Sequence, residues 1–170
     1  MADTAHLWAV GYDDISRAIA VRDEVTRLAW GPGQGGKYLI LRDTAVVVRH
    51  PDGSFTLDRE PFPGIANILS CSAAGFLAGL VVAAPLTGAT IGAFVGGAGT
   101  VAWAAESGIS TDFIQDVEKV MRPGTSVLFV LNEEGDTDVI LHTLHGLGGT
   151  VLKTNVDLER AKLIQSTLAG

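Results

Sequence analysis

The chain has 170 residues, 47% of them hydrophobic, 18% charged and 6% aromatic, room for one domain with a core or for a small domain plus an appendage, but not for a second full-sized domain. Its 12 basic and 19 acidic side chains leave a formal charge of −7, which argues against non-specific nucleic-acid binding, and its single cysteine excludes a disulfide framework within the chain and a multi-cysteine zinc site. A mean hydropathy of +0.32 is high for such a composition, so the apolar excess must be concentrated somewhere.

Residues 6–12 predict a short apolar strand. Asp13 or Asp14 then caps a helix whose apolar positions Ile15, Ala18, Ile19, Val25, Leu28 and Ala29 keep the helical period. A glycine-rich loop at 31–36 follows and, with Lys37, satisfies GxxxxGK. A phosphate-binding loop needs a strand before it, a helix N-terminus after it and a Ser or Thr hydroxyl for Mg²⁺. Here a helix precedes, a strand is expected at 38–41, and Tyr38 stands in the hydroxyl's place. The loop therefore reads as a connector, and no nucleotide cofactor is expected. Residues 44–50 make a β-prone strand around Val46, Val47 and Val48, and Pro51, Asp52 and Gly53 turn the chain back into 55–57.

From 61 to 105 the chain carries no charged side chain, although the remaining residues hold all 31 charges, 12 basic and 19 acidic. Pro85 divides this run into two pieces of 20 residues, 65–84 and 86–105. At about 1.5 Å per residue each reaches roughly 30 Å as a helix, the thickness of a bilayer's hydrocarbon core. Gly88, Gly92 and Gly96 form GxxxGxxxG, and Gly75 and Gly79 repeat the spacing in the first piece. Residues four apart share a helical face, so these glycines make a groove into which another helix packs. The spacing predicts a glycine-zipper helical hairpin, closed on itself or packed between chains. Cys71 lies inside the run as a small hydrophobe without a neighbouring base. Phe62 and Trp103, far apart in sequence, fall at the same end of such a hairpin.

Ser110 or Thr111 starts a helix with Phe113, Ile114, Val117, Val120 and Met121 on one face, and Pro123 and Gly124 end it. Residues 126–131, SVLFVL, read as a strand buried on both faces. A helix is expected at 137–147, a strand at 150–154 and a terminal helix at 157–168. His142 and His145 are three apart on the first of these helices, with Glu133, Glu134, Asp136 and Asp138 close by. Two histidines and a carboxylate can hold a divalent metal, but the spacing supplies no third ligand, so they read as a solvated face and no metal is expected.

With the uncharged run removed, each half is a strand–helix–strand unit. Two such units predict a split ferredoxin-like α+β sandwich whose second and third strands are adjacent and antiparallel, with the long hydrophobic hairpin inserted between them. The expected division is 6–60 for the first half, 61–106 for the hairpin, 107–156 for the second half and 157–170 for the C-terminal helix.

The segments AVVVRHPDGS, ESGISTDFIQDVEKVMRPGTSVLFVL and GGTVLKTNVD, together with the glycine-spaced run, resemble a bacterial family, the domain of unknown function twelve sixty-nine, commonly described as predicted membrane proteins. The resemblance runs from Trp8 onward, and ISTDFI followed by RPGTSVLFVL is its most specific part. It implies the split domain with an inserted hydrophobic hairpin and brings no catalytic residues. The loop WGPGQGGKYLI departs from the shorter, more polar segment expected there.

No acid–base pair or nucleophile constellation can be assembled from spacing, so the expectation is a protein that is not an enzyme and has no cofactor. It is expected to form homo-oligomers through Gly75, Gly79, Gly88, Gly92 and Gly96, and to sit at or in the bacterial inner membrane in contact with the lipid bilayer. The first 15 residues contain Asp3, Asp13 and Asp14 and no apolar h-region, so the folded part is expected on the cytoplasmic side. The alternative is a soluble cytoplasmic homo-oligomer whose hairpins form a buried core and whose sheet makes a binding or regulatory surface.

Overall fold

Strand alternation and helix caps place most of the chain. The computed structural model describes residues 4–30, 43–57, 60–62, 73–83, 107–132 and 148–157, with Glu159 and Leu163 beyond them. In chain order these form β1 (Thr4–Tyr12), α1 (Arg17–Trp30), β2 (Asp43–Arg49), β3 (Phe55–Leu57), β4 (Glu60–Phe62), α2 (Ala73–Ala83), α3 (Thr111–Val120), β5 (Thr125–Asn132) and β6 (Thr150–Asp157). The expected strand at 38–41 and helix at 137–147 lie outside the described residues, as does most of the terminal helix.

The strands make one six-stranded sheet in the order β4-β3-β2-β5-β1-β6, and every pairing is antiparallel. All eight residues of β5 are buried, as its uninterrupted apolar sequence requires of a strand with neighbours on both sides and cover on both faces. Side chains alternate between the two faces. Leu7, Ala9, Ala45, Val47, Val127 and Phe129 look one way and join α2 and α3 in one core. Trp8, Val10, Val46, Val48, Leu128 and Val130 look the other way and join Ala18 and Val21 of α1. Trp8 reaches Asn132 Oδ1 with its Nε1–H at 2.7 Å, so its one polar atom stays paired in the core.

The sheet itself holds the entry of α1. Ser126 Oγ on β5 donates to the Asp14 carbonyl at 2.6 Å and accepts from the Ala18 N–H at 3.1 Å. Asp14 is not the residue that immediately precedes the helix. Its Oδ1 accepts from both the N–H and the hydroxyl of Ser16 at 2.7 Å, shaping the turn before Arg17, and these bonds hold its carboxyl below the usual range. The same device recurs in the hairpin between β2 and β3, where Asp52 Oδ1 accepts from the N–H and hydroxyl of Ser54.

The uncharged run folds differently from the expected hairpin. Its first residues, Pro61 and Phe62, belong to β4 and pair with Thr56 and Phe55, an edge position where a proline's missing N–H costs no ladder bond. Its described helix, α2, has only 11 residues, about 16 Å at 1.5 Å per residue, and lies flat against β2, β5 and α3. Phe76, Leu77 and Val81 are at most 1% exposed. Ala74, Gly75, Ala78 and Gly79 are buried with them, and their small size lets the helix backbone lie close to the sheet.

The expected split ferredoxin-like sandwich carrying a long inserted glycine-zipper hairpin is thus corrected to a six-stranded antiparallel sheet with short helices, one of them drawn from the run itself. No long apolar helix occurs among the described residues, and none there is long and apolar enough to cross a membrane. The physical reason is that an uncharged alanine- and glycine-rich stretch suits a protein core as well as it suits lipid. The sheet face opened by strand alternation supplies that core within the same chain. Gly88, Gly92 and Gly96 lie outside the described residues.

Candidate functional site

Period-two alternation along β2 puts Ala45, Val47 and Arg49 on the face covered by α2 and α3. Arg49 is therefore a cation at the inward-facing end of an apolar row, and it is half-buried. Its neighbourhood is built by three elements. The turn at 50–54 is closed by the His50 N–H to the Ser54 carbonyl and the Gly53 N–H to the His50 carbonyl, both at 2.8 Å. It brings Phe55 back opposite Arg49, with the guanidinium carbon 5.2 Å from the ring centroid, in cation–π range.

Helix α3 starts at an N-cap, Ser110, whose hydroxyl accepts from the Phe113 N–H at 3.1 Å, and buries Phe113, Ile114 and Val117. Its last turn delivers the Met121 carbonyl to Arg49 Nη1 at 2.8 Å. The Arg49 carbonyl in turn accepts from the Gly124 N–H at 2.8 Å, so one residue holds the α3–β5 connection through both side chain and backbone.

Between these elements lies a cavity of about 100 Å³, lined by Arg49 and Phe55 from the hairpin, Val81 and Val82 from α2, and Val117, Glu118 and Met121 from α3 and its end. Its walls are largely aliphatic. Arg49 Nε is buried and has no hydrogen-bond acceptor among the described residues. Glu118 is exposed, and no carboxylate of the described residues forms an ion pair with Arg49. The cavity thus sets the Arg49 charge against largely apolar walls, with the Glu118 carboxylate on the same lining.

A second hollow of about 310 Å³ lies where β1 ends and β6 begins, lined by Gly11, Tyr12, Asp13, Lys119, Val120, Arg122, Gly149 and Thr150. Its charges are already matched. Arg122 Nη2 meets Asp13 Oδ1 at 2.8 Å, and Lys119 Nζ lies 3.9 Å from Asp116 Oδ1, all four side chains at least half exposed. Such pairs contribute little. The glycines here serve packing, since a Cβ on Gly11 would stand 3.1 Å from Val120 and one on Gly149 would stand 2.6 Å from the Tyr12 ring.

Of the residues singled out from the sequence, Gly75 and Gly79 are on α2 and buried. The loop 31–36 with Lys37, Cys71, and the pair His142 and His145 lie outside the described residues. Among the described residues no group of three His, Cys, Asp or Glu side chains is placed to hold a metal ion. Arg49 was missed, although a signal was present: an arginine in register with the inward positions of AVVVRH.

A family model described as "Protein of unknown function (DUF1269)" matches residues 69–169. No curated protein matches the chain, and no solved structure does.

Proposed function

The chain belongs to the family of proteins of unknown function DUF1269, and from that premise we propose that it is a non-enzymatic protein whose copies associate with one another through the uncharged segment that follows α2. The observation that carries this reading is the burial of α2 on its own sheet. Helices α2 and α3 already cover that face, yet residues 84–105 continue without a single charge and with Gly88, Gly92 and Gly96 in register. A segment of that composition would form an association surface if left in water. Were the segment helical, its glycine spacing would admit a second backbone closely, through dispersion and weak Cα–H···O contacts, and a second copy of the chain would supply an identical partner.

The test is native mass spectrometry and light scattering of wild type and Gly92→Leu. Overpacking a close contact costs about 1–3 kcal/mol, once per subunit in a symmetric assembly. The variant should lose or change the wild-type mass, while Gly53→Ala, in the β2–β3 turn, should keep it. An unchanged mass for Gly92→Leu, or a monomeric wild type, overturns the reading. Alkaline carbonate extraction separates copies from lipid as the cover: release from membranes is expected, and retention without release would replace self-association by insertion.

A further inference from the structure

We propose that the cavity between the β2–β3 hairpin, α2 and α3 binds a small aliphatic carboxylate, with Arg49 as the residue that receives its charge. Of the guanidinium's donors, one is accounted for by the Met121 carbonyl, at 2.8 Å from Nη1. Nε has none, and no ion pair neutralises the charge within the described residues. The group is nevertheless held in place, between that carbonyl and the Phe55 ring 5.2 Å away. A guanidinium fixed at its rear and lacking an anion is preorganised for a carboxylate, whose two oxygens match a planar fork of N–H donors.

The rest of the cavity selects what the carboxylate carries. Val81, Val82, Val117 and Met121 line it, so the remainder of the ligand is apolar. A volume of about 100 Å³ with such a lining suits a short alkyl chain. Glu118, also on the lining, repels a second negative charge, which favours a monocarboxylate over phosphate or a dicarboxylate. The site is distinct from the segment proposed to join copies, and its test reads ligand binding alone.

The experiment is isothermal titration and thermal shift of the full chain with sodium butyrate, and with butyramide and inorganic phosphate as the neutral and the multiply charged probes. Butyrate should bind saturably at millimolar or lower concentration and raise Tm, and the other two should not. Arg49→Gln removes the charge and keeps a polar side chain; it should weaken butyrate about tenfold or more. Glu118→Gln changes an exposed side chain and should tighten butyrate by about twofold. No saturable binding of butyrate, binding of butyramide as tight as butyrate, or an unchanged Kd in folded Arg49→Gln overturns the proposal. Should Arg49→Gln not fold, the wild-type comparison of butyrate with butyramide decides, and a weaker Kd in Glu118→Gln counts against it as well.

Discussion

Tyr12 shows how one polar atom sets a local cost. The residue is 7% exposed, and its hydroxyl is buried without a hydrogen-bond partner among the described residues. Burial pushes the phenol's pKa above its ordinary value, opposed by the charge of Arg17. An unpaired buried hydroxyl is unfavourable, so Tyr12→Phe should leave stability unchanged or raise it by about 1 kcal/mol in urea unfolding at neutral pH. Since the folded-state pKa lies above the unfolded one, the stability linked to the neutral phenol is fully present below about pH 10 and is lost as pH rises through the folded value. Tyr12→Phe should therefore flatten the alkaline limb of the stability curve, and a limb as steep as wild type would contradict this.

Two glycines separate backbone strain from collision. Gly53 and Gly149 both have φ of +89°, but a Cβ at Gly53 meets nothing within 4 Å, whereas one at Gly149 would also lie 2.9 Å from the Gly11 carbonyl oxygen. Gly53→Ala should cost about 1–2 kcal/mol, the left-handed penalty alone, and Gly149→Ala clearly more. Equal losses in denaturant midpoint would show that the β1–β6 junction yields freely.

At the scale of elements, α3 is the best-specified piece. Its cap, Ser110, has the extended φ and ψ of −75° and 149° that the position requires, and Asp112 in the first turn and Lys119 in the last follow the helix dipole. The Ser110 N–H is itself bound to Thr154 Oγ1 on β6 at 3.2 Å, so the helix start is tied to the sheet edge as well as capped. Ser110→Ala should cost about 1 kcal/mol, within the range of about 0.5–2 for lost caps, and Ser110→Asp should recover most of it. Thermal unfolding of the three proteins checks this. An undiminished Tm for Ser110→Ala would mean that packing of Phe113, Ile114 and Val117 alone positions the helix.

At the scale of the molecule, α2 decides which surface the sheet has left to offer. It belongs to the same core as Val47, Val127 and Phe129, so its removal would uncover the part of that face formed by β2 and β5. Leu77, 0% exposed, is the sharpest probe. Leu77→Ala should destabilise the domain by about 2–5 kcal/mol in a single unfolding transition. A sheet whose midpoint does not move in this variant would show α2 to be elsewhere in solution.

What the sequence by itself determined is local. The strands around 6–12, 44–50 and 126–131, the turn at Pro51, Asp52 and Gly53, and α3 with its cap at Ser110 follow from period-two or period-3.6 alternation and from side chains that satisfy nearby backbone groups. The pairing of β2 with β3 and with β5 was also legible, from the turn and from the two strand–helix–strand units, whereas the tertiary structure alone decided where the uncharged residues go. Hydropathy is a magnitude without direction, so the same alanines, glycines and valines predict a lipid span, a helical hairpin or the cover of a sheet. Only the apolar face assembled from β1, β2 and β5 chooses among these for α2. Arg49 marks the same boundary. Its inward position was legible in AVVVRH, but its acceptor is a carbonyl 72 residues further along the chain, and no local pattern brings those two atoms together.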